Sequence, residues 1–134
     1  MVIGYYIRYM NYQLTQHFSS EEFDSRDGAK VPTSFRRHIL TVAQQLEIIR
    51  PFWGIPLVVH SGYRSLDHNR SVGGSRYSQH LLGKAADISI SGISPEEMFR
   101  AFKYAIDRRL IISGGLKAYH WGIHYDIRGS FKTW

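Results

Sequence analysis

The chain of 134 residues contains no cysteine. That absence excludes disulfides, cysteine-based zinc fingers, iron–sulfur ligation and thiol catalysis together. Any transition metal must be held by histidine and carboxylate, a donor set that narrows the metal toward zinc. No Pro/Ser-rich linker, internal repeat or low-complexity run divides the sequence. No run approaches the ~20 apolar residues of a membrane span, so no membrane partner is expected. The first residues, MVIGYYIRYMNYQLT, lack a basic start, and Arg8 cuts their apolar stretch. They do not read as a secretory signal. Synthesis in the cytoplasm is expected, with something else carrying the protein outward if it acts beyond a membrane.

What is present points to a packed domain. Hydrophobic residues make up 43% and aromatic residues 14% of the chain, enough to offset the conformational entropy of ordering it. The length suits one domain over residues 1–134, with residues 1–13 as an N-terminal arm or edge strand. The net charge of +6 gives solubility and a mild preference for anionic surfaces. The basic residues are scattered, as at Arg36 and Arg37 or Arg108 and Arg109, without interleaved aromatics, so nucleic acid is not expected as a partner. A monomer is expected.

The periodicities give an element order. Ser19-Ser20-Glu21-Glu22 looks like a capped helix start. Pro32 opens the clearest helix, roughly Thr33 to Trp53, with Phe35, Ile39, Val42, Leu46 and Ile49 at three- and four-residue spacing and Gly54 as its stop. Residues 55–60 form a β-branched strand that leads into Ser61-Gly62-Tyr63-Arg64. Residues 65–79 read as a long surface loop, a feature usually tied to function. Ala85 to Ser91 reads as a second strand. Ser94-Pro95-Glu96-Glu97 starts a second long helix running to about Arg108. Ile111-Ile112 begins a third strand, and His120 to Ile127 forms the last. The implied class is α+β, with a small antiparallel sheet packed with helices.

The chemistry gathers in two places. Ser61 to Asp87 contains His80-Leu81-Leu82-Gly83-Lys84-Ala85-Ala86-Asp87, and a second cluster follows at Ile123-His124-Tyr125-Asp126-Ile127-Arg128. Any one of the seven histidines is by itself an ordinary polar residue. Together, His80, Asp87 and His124 supply two neutral nitrogens and one negative oxygen, the three-ligand set of an open catalytic zinc site. Such a site keeps positive charge and draws the pKa of bound water toward ~7. A sharp return at Gly83 would bring His80 and Asp87 together.

These motifs resemble the zinc D-Ala-D-Ala carboxypeptidase family, which includes peptidoglycan-trimming peptidases and phage endolysins. The resemblance rests on Ser61-Gly62-Tyr63-Arg64-Ser65, Asn69, Val72-Gly73-Gly74-Ser75, Ser78-Gln79-His80 with Gly83, Ala85 and Asp87, and His124-Tyr125-Asp126-Ile127-Arg128-Gly129. Phe18, Glu22-Phe23, Gly28 and Pro32 extend it, so that it spans roughly residues 14–134. It implies the hedgehog and D-Ala-D-Ala-peptidase type of fold and one zinc per chain at His80, Asp87 and His124. It implies hydrolysis of peptidoglycan stem peptides or cross-links by zinc-activated water. It also implies that Arg64 binds a substrate carboxylate, as a guanidinium pairs with one bidentately. On that reading Arg64→Ala spares the metal and raises KM. Ser61, Tyr63 and Ser78 would add hydrogen bonds around the substrate. Action on the cell wall follows, in a phage-encoded lysin or a virion-associated protein.

The general base departs from the family pattern. Where some members of the wider group place an acid or a histidine just before the last ligand, this chain has Trp121 and Gly122. Asp126 and His120 are the remaining candidates, since side chains two and four residues from His124 share its face of a strand. Asp126 can instead orient His124 or pair with Arg128. The missing acid also motivates a competing reading, a non-catalytic zinc-containing wall-binding or virion structural module.

Overall fold

The computed structural model describes residues 11–134. Among the described residues, three α-helices and four strands form in the order α1 (Arg36–Ile49), β1 (Leu57–Ser61), α2 (Leu66–Ser71), β2 (Ala85–Ile90), α3 (Pro95–Asp107), β3 (Leu116–Ala118) and β4 (Ile123–Asp126). The strands make one sheet in the order β1-β2-β4-β3, and every pairing is antiparallel. This is the α+β class with a small antiparallel sheet. Among the described residues no helix is long and apolar enough to cross a membrane.

Alternation along the strands separates packing from chemistry. Ala86, Ile88 and Ile90 of β2 and Ile123 and Tyr125 of β4 join the core, together with Ile39, Val42, Leu46 and Ile49 of α1 and Met98, Phe102, Ala105 and Ile106 of α3. Successive side chains of a strand point to opposite faces. Asp87 and Ser89 of β2, and His124 and Asp126 of β4, therefore stand on the face away from α1 and α3. Ser94 caps α3 by accepting a hydrogen bond from Glu97 N–H, with Pro95 in its first turn.

Several local expectations shift. The long helix is flanked by 3-10 turns at Thr33–Phe35 and Arg50–Phe52, so its full extent agrees with the periodicity. The Ser19 start gives only a 3-10 turn, Ser20–Phe23. The expected surface loop 65–79 contains α2, which Ser65 starts by accepting a hydrogen bond from His68 N–H. A six-residue helix is too short to show an apolar period, and only its cap marks it. The third strand is Leu116–Ala118 rather than Ile111-Ile112, because Leu116 can add to β4 while Ile111 is drawn into the core. The last strand begins at Ile123, which leaves His120 in the turn between β3 and β4. Of the expected N-terminal arm, residues 1–10 lie outside the described residues, and Gln13 makes an isolated antiparallel bridge to Ser19.

Candidate metal centre

Sheet register builds half of the site. Asp87 lies directly opposite His124 across the β2–β4 pair, both on the face away from α1 and α3. A cross-strand pair holds its Cβ atoms ~4.5–5.5 Å apart, close enough for both side chains to reach one point. His80 arrives from a different direction. It sits in a 3-10 turn, Gln79–Leu82, capped by Ser78 Oγ, which accepts from His80 N–H. Gly83 ends the turn in the left-handed conformation at φ 69°, where a Cβ would be strained and would press on Ile39 at 3.3 Å.

The three ligand candidates converge. Ligand atoms of His80, Asp87 and His124 all lie within 4.8 Å of one another, and the residues are buried. His80 Nε2 is 3.2 Å and His124 Nδ1 3.1 Å from the same carboxylate oxygen, Asp87 Oδ1. Bonds of ~2.0–2.1 Å to a tetrahedral ion separate two ligands by ~3.3 Å, close to the separations observed.

Protons sharpen the fit. His80 Nδ1 donates to Gly62 C=O at 2.6 Å, which leaves Nε2 as a bare acceptor. That nitrogen is buried and has no hydrogen-bond partner, although a carboxylate oxygen faces it. Burial lowers the His80 pKa, and Asp87 only partly opposes it. A neutral imidazole lone pair facing a carboxylate lone pair is an unfavourable contact that a cation between them relieves. Asp87 also resists protonation. Burial acts to raise its pKa, but the neighbouring His124 and His80 outweigh it and hold the carboxyl well below the usual range. The donor set and the orphaned nitrogen therefore fit a bound zinc ion.

Supporting contacts surround these ligands. His124 Nε2 donates to Asp126 Oδ2 at 2.8 Å, which directs Nδ1 toward Asp87 and His80. Burial lowers the His124 pKa, yet the hydrogen bonds to Asp126 and Asp87 raise it overall. Asp126 is fully buried. Its Oδ1 accepts from Gly115 N–H at 2.8 Å, Arg128 N–H at 3.1 Å and Arg128 Nε at 2.9 Å, while Oδ2 accepts from Arg128 Nη2 at 2.6 Å as well as from His124. Burial opposes its ionisation, and the Arg128 and His124 hydrogen bonds override that and keep it charged. Its oxygens are thus already occupied by donors.

Arg64 stands against the ligands as well as the cleft. Nη2 donates to Asp87 Oδ2 at 3.2 Å, Nε to Ser61 Oγ at 3.2 Å and Nη1 to Asn69 Oδ1 at 3.3 Å. The guanidinium fixes the oxygen of Asp87 that the histidines do not face. Asn69 is braced in turn, donating to Ser75 C=O at 3.0 Å, with Gly74 so close that a Cβ there would lie 2.0 Å from Asn69 Oδ1. Gly74 is required for this approach, while Gly73 supplies the left-handed turn before it at φ 71°.

The site opens into a cleft of about 570 Å³. Arg64, Ser78, Tyr119, Arg128, Lys132 and Trp134 line it beside the three ligand candidates. Its charged walls are cationic apart from Asp87, so it suits an anionic ligand. Trp134 closes one side, with its ring centroid 5.2 Å from that of His124 and the Arg128 guanidinium 5.7 Å from its own.

The other expected residues are placed as follows. Ser61 braces Arg64 from behind. Tyr63 packs beside Phe35, ring centroids 6.3 Å apart, and against the core. His120 is exposed and does not line the cleft. Nor does Asp126. Tyr119, Lys132 and Trp134 were not singled out from the sequence. Tyr119 carried a weak signal in the aromatic run Tyr119-His120-Trp121, whereas Lys132 and Trp134 sit in a tail that reads as unstructured. That tail is drawn in by pairing with the sheet edge, where Leu116 N–H donates to Lys132 C=O and Lys132 N–H to Gly114 C=O.

The protein-family model described as Peptidase M15 matches residues 16–126, a span that contains all three ligand candidates and the whole sheet. No curated protein matches the chain.

Proposed function

The chain belongs to the Peptidase M15 family, and from that premise we propose that it is a zinc metallopeptidase hydrolysing peptide bonds of bacterial peptidoglycan. The observation that carries this reading is the buried His80–Asp87–His124 group with its unpartnered His80 Nε2, opening into a cationic cleft. When bound there, the zinc supplies a Lewis acid that acidifies a water molecule and polarises the scissile carbonyl.

The remaining work falls to the chain's own side chains. Arg64 has guanidinium N–H groups left over from its contacts to Ser61, Asn69 and Asp87, and these bind a stem-peptide carboxylate at the cleft wall. Arg128 and Lys132 line the same cleft and add positive charge to it. Asp126 holds His124 in the tautomer that presents Nδ1. Neither of the two expected proton acceptors lines the cleft. Tyr119 does, and burial followed by the Asp87 charge raises its pKa. It stays a phenol, able to donate to the departing amine.

A second reading has a specific observation behind it. Among the described residues, the cleft lining contains no carboxylate or histidine beyond the three ligand candidates. That motivates a zinc-bearing wall-binding module as the second reading.

One experiment separates the two. Purified protein is analysed for metal and then incubated with purified peptidoglycan, with and without chelator, and released stem peptides and amines are read by mass spectrometry. One zinc per chain with chelator-sensitive release supports the peptidase, and Tyr119→Phe should then slow release about 10²-fold at unchanged zinc content. One zinc with no release from several wall types selects the binding module.

A further inference from the structure

The face of the sheet away from α1 and α3 continues past the metal ligands toward the β1 edge and the β3–β4 turn. There a row of rings stands in solvent. Tyr119 and Trp121 stack with centroids 5.7 Å apart and planes 4° apart. His60 meets Trp121 edge-on at 5.2 Å. His60 lies where the β1–β2 register shifts between Val59 and Ser61, and such bulges re-aim a side chain. Its Nε2 is fixed by Ser89 Oγ at 2.6 Å. Trp121 remains 41% exposed, and Val58 beside this edge is 48% exposed.

Two features define what such a row can bind. It is continuous with the cleft, because Tyr119 belongs to both. Its rings carry no charge, Arg26 at the β1 edge is held on the main-chain carbonyls of His60 and Val59, and the cations Arg64, Arg128 and Lys132 stand inside the cleft. A ligand spanning the two regions is therefore anionic at the metal end and uncharged, with a flat apolar face, at the other. Rings held by their neighbours offer contact area at little ordering cost. A pyranose presents a face of C–H groups that packs on an indole and keeps its hydroxyls in water. Stem peptides are attached to a glycan of such sugars.

We propose that Trp121, held by His60 and Tyr119, forms a sugar subsite that binds the N-acetylated amino-sugar backbone beside the stem peptide lying in the cleft. The subsite rests on the peptidoglycan reading for its ligand but needs neither zinc nor turnover to act.

The test uses the full chain and a tetramer of N-acetylglucosamine, titrated by NMR into zinc-loaded and chelator-treated protein. Saturable binding is expected in both forms, with the Trp121 indole N–H signal shifting. Trp121→Ala should weaken binding by about tenfold or more, and Trp121→Tyr, which keeps a ring, should recover most of it. With intact peptidoglycan, Trp121→Ala should raise KM by a larger factor than it does for a sugar-free stem peptide, the smaller effect reflecting the indole's stacking on Tyr119. No binding of the tetramer, or binding that Trp121→Ala leaves intact, overturns the subsite. So does an equal loss of activity on the sugar-free peptide. Tetramer binding that Trp121→Ala abolishes, in a protein that cleaves no peptide, would retire the peptidase reading and leave the subsite standing.

Discussion

At His80 the decisive atom is Nε2, a buried lone pair with nothing but Asp87 opposite it. His80→Ala removes one of three ligands, and the protein is expected to purify without stoichiometric zinc by elemental analysis. A full complement of metal in that variant would mean the ligands are others. Arg64 has a contact beyond its expected substrate role. Because Nη2 braces Asp87 Oδ2, Arg64→Ala should weaken zinc as well as substrate, by ~10–100-fold in metal affinity, the usual effect of losing a partner that orients a ligand. Competition with a chromogenic chelator measures this directly. Zinc affinity equal to wild type, with only KM raised, would restrict Arg64 to the substrate.

Among the elements, the strand-edge glycines and the entry to α2 make the sharpest claims. A Cβ on Gly114 would sit 1.7 Å from the main-chain oxygen of Asp126 and 2.8 Å from its Oδ1, and that carboxylate is itself pinned by Arg128 and Gly115. Gly114→Ala should therefore destabilise by ~1–3 kcal/mol or more, as forced overpacking does, and chemical denaturation should show a lower midpoint. An unchanged midpoint would mean that β3 can shift. At the start of α2, Asp27 Oδ2 accepts from Ser65 Oγ at 2.6 Å. Hydrogen bonds from the Ser65 and Ser25 hydroxyls and from Ala29 N–H lower the Asp27 pKa from 3.8 to about 2. A folded-state pKa below the unfolded one adds stability that is fully present above pH ~4 and lost as pH falls through ~2. The melting-temperature advantage of wild type over Asp27→Asn should hold near pH 5 and shrink toward pH 2. A constant difference across that range would sink the linkage.

On the scale of the whole molecule, the metal centre ties three separate pieces of chain together: the turn carrying His80, the strand β2 and the strand β4. A ligand that binds only the folded state stabilises it by ~2.7 kcal/mol at one hundred times its dissociation constant. Zinc should raise the melting temperature and excess chelator should lower it, reversibly, by calorimetry. A chelator-insensitive transition in protein shown to carry zinc would place that zinc elsewhere. The response should disappear in His80→Ala, which separates site binding from a general salt effect.

Much of this was legible along the chain. Ile39, Val42, Leu46 and Ile49 repeat at helical spacing, so the apolar face of α1 is written in order. Ser94-Pro95-Glu96-Glu97 announces α3 by local cap chemistry alone. His80, Asp87 and His124 could be singled out as a donor set because the absence of cysteine left only histidine and carboxylate donors and because these three stand within the motifs that carry the family resemblance. Tertiary structure decided the rest, for a physical reason: those outcomes depend on pairing and burial between distant segments. The β2–β4 register set Asp87 against His124. Packing of Arg128 and Gly115 around Asp126 filled its oxygens and kept it out of the cleft, and the turn at Tyr119 to Gly122 turned His120 away from it. The tail's hydrogen bonds to Gly114 and Leu116 carried Lys132 and Trp134 onto the site. Sequence determined which groups were available and which elements would form, and the fold alone determined which of those groups face one another.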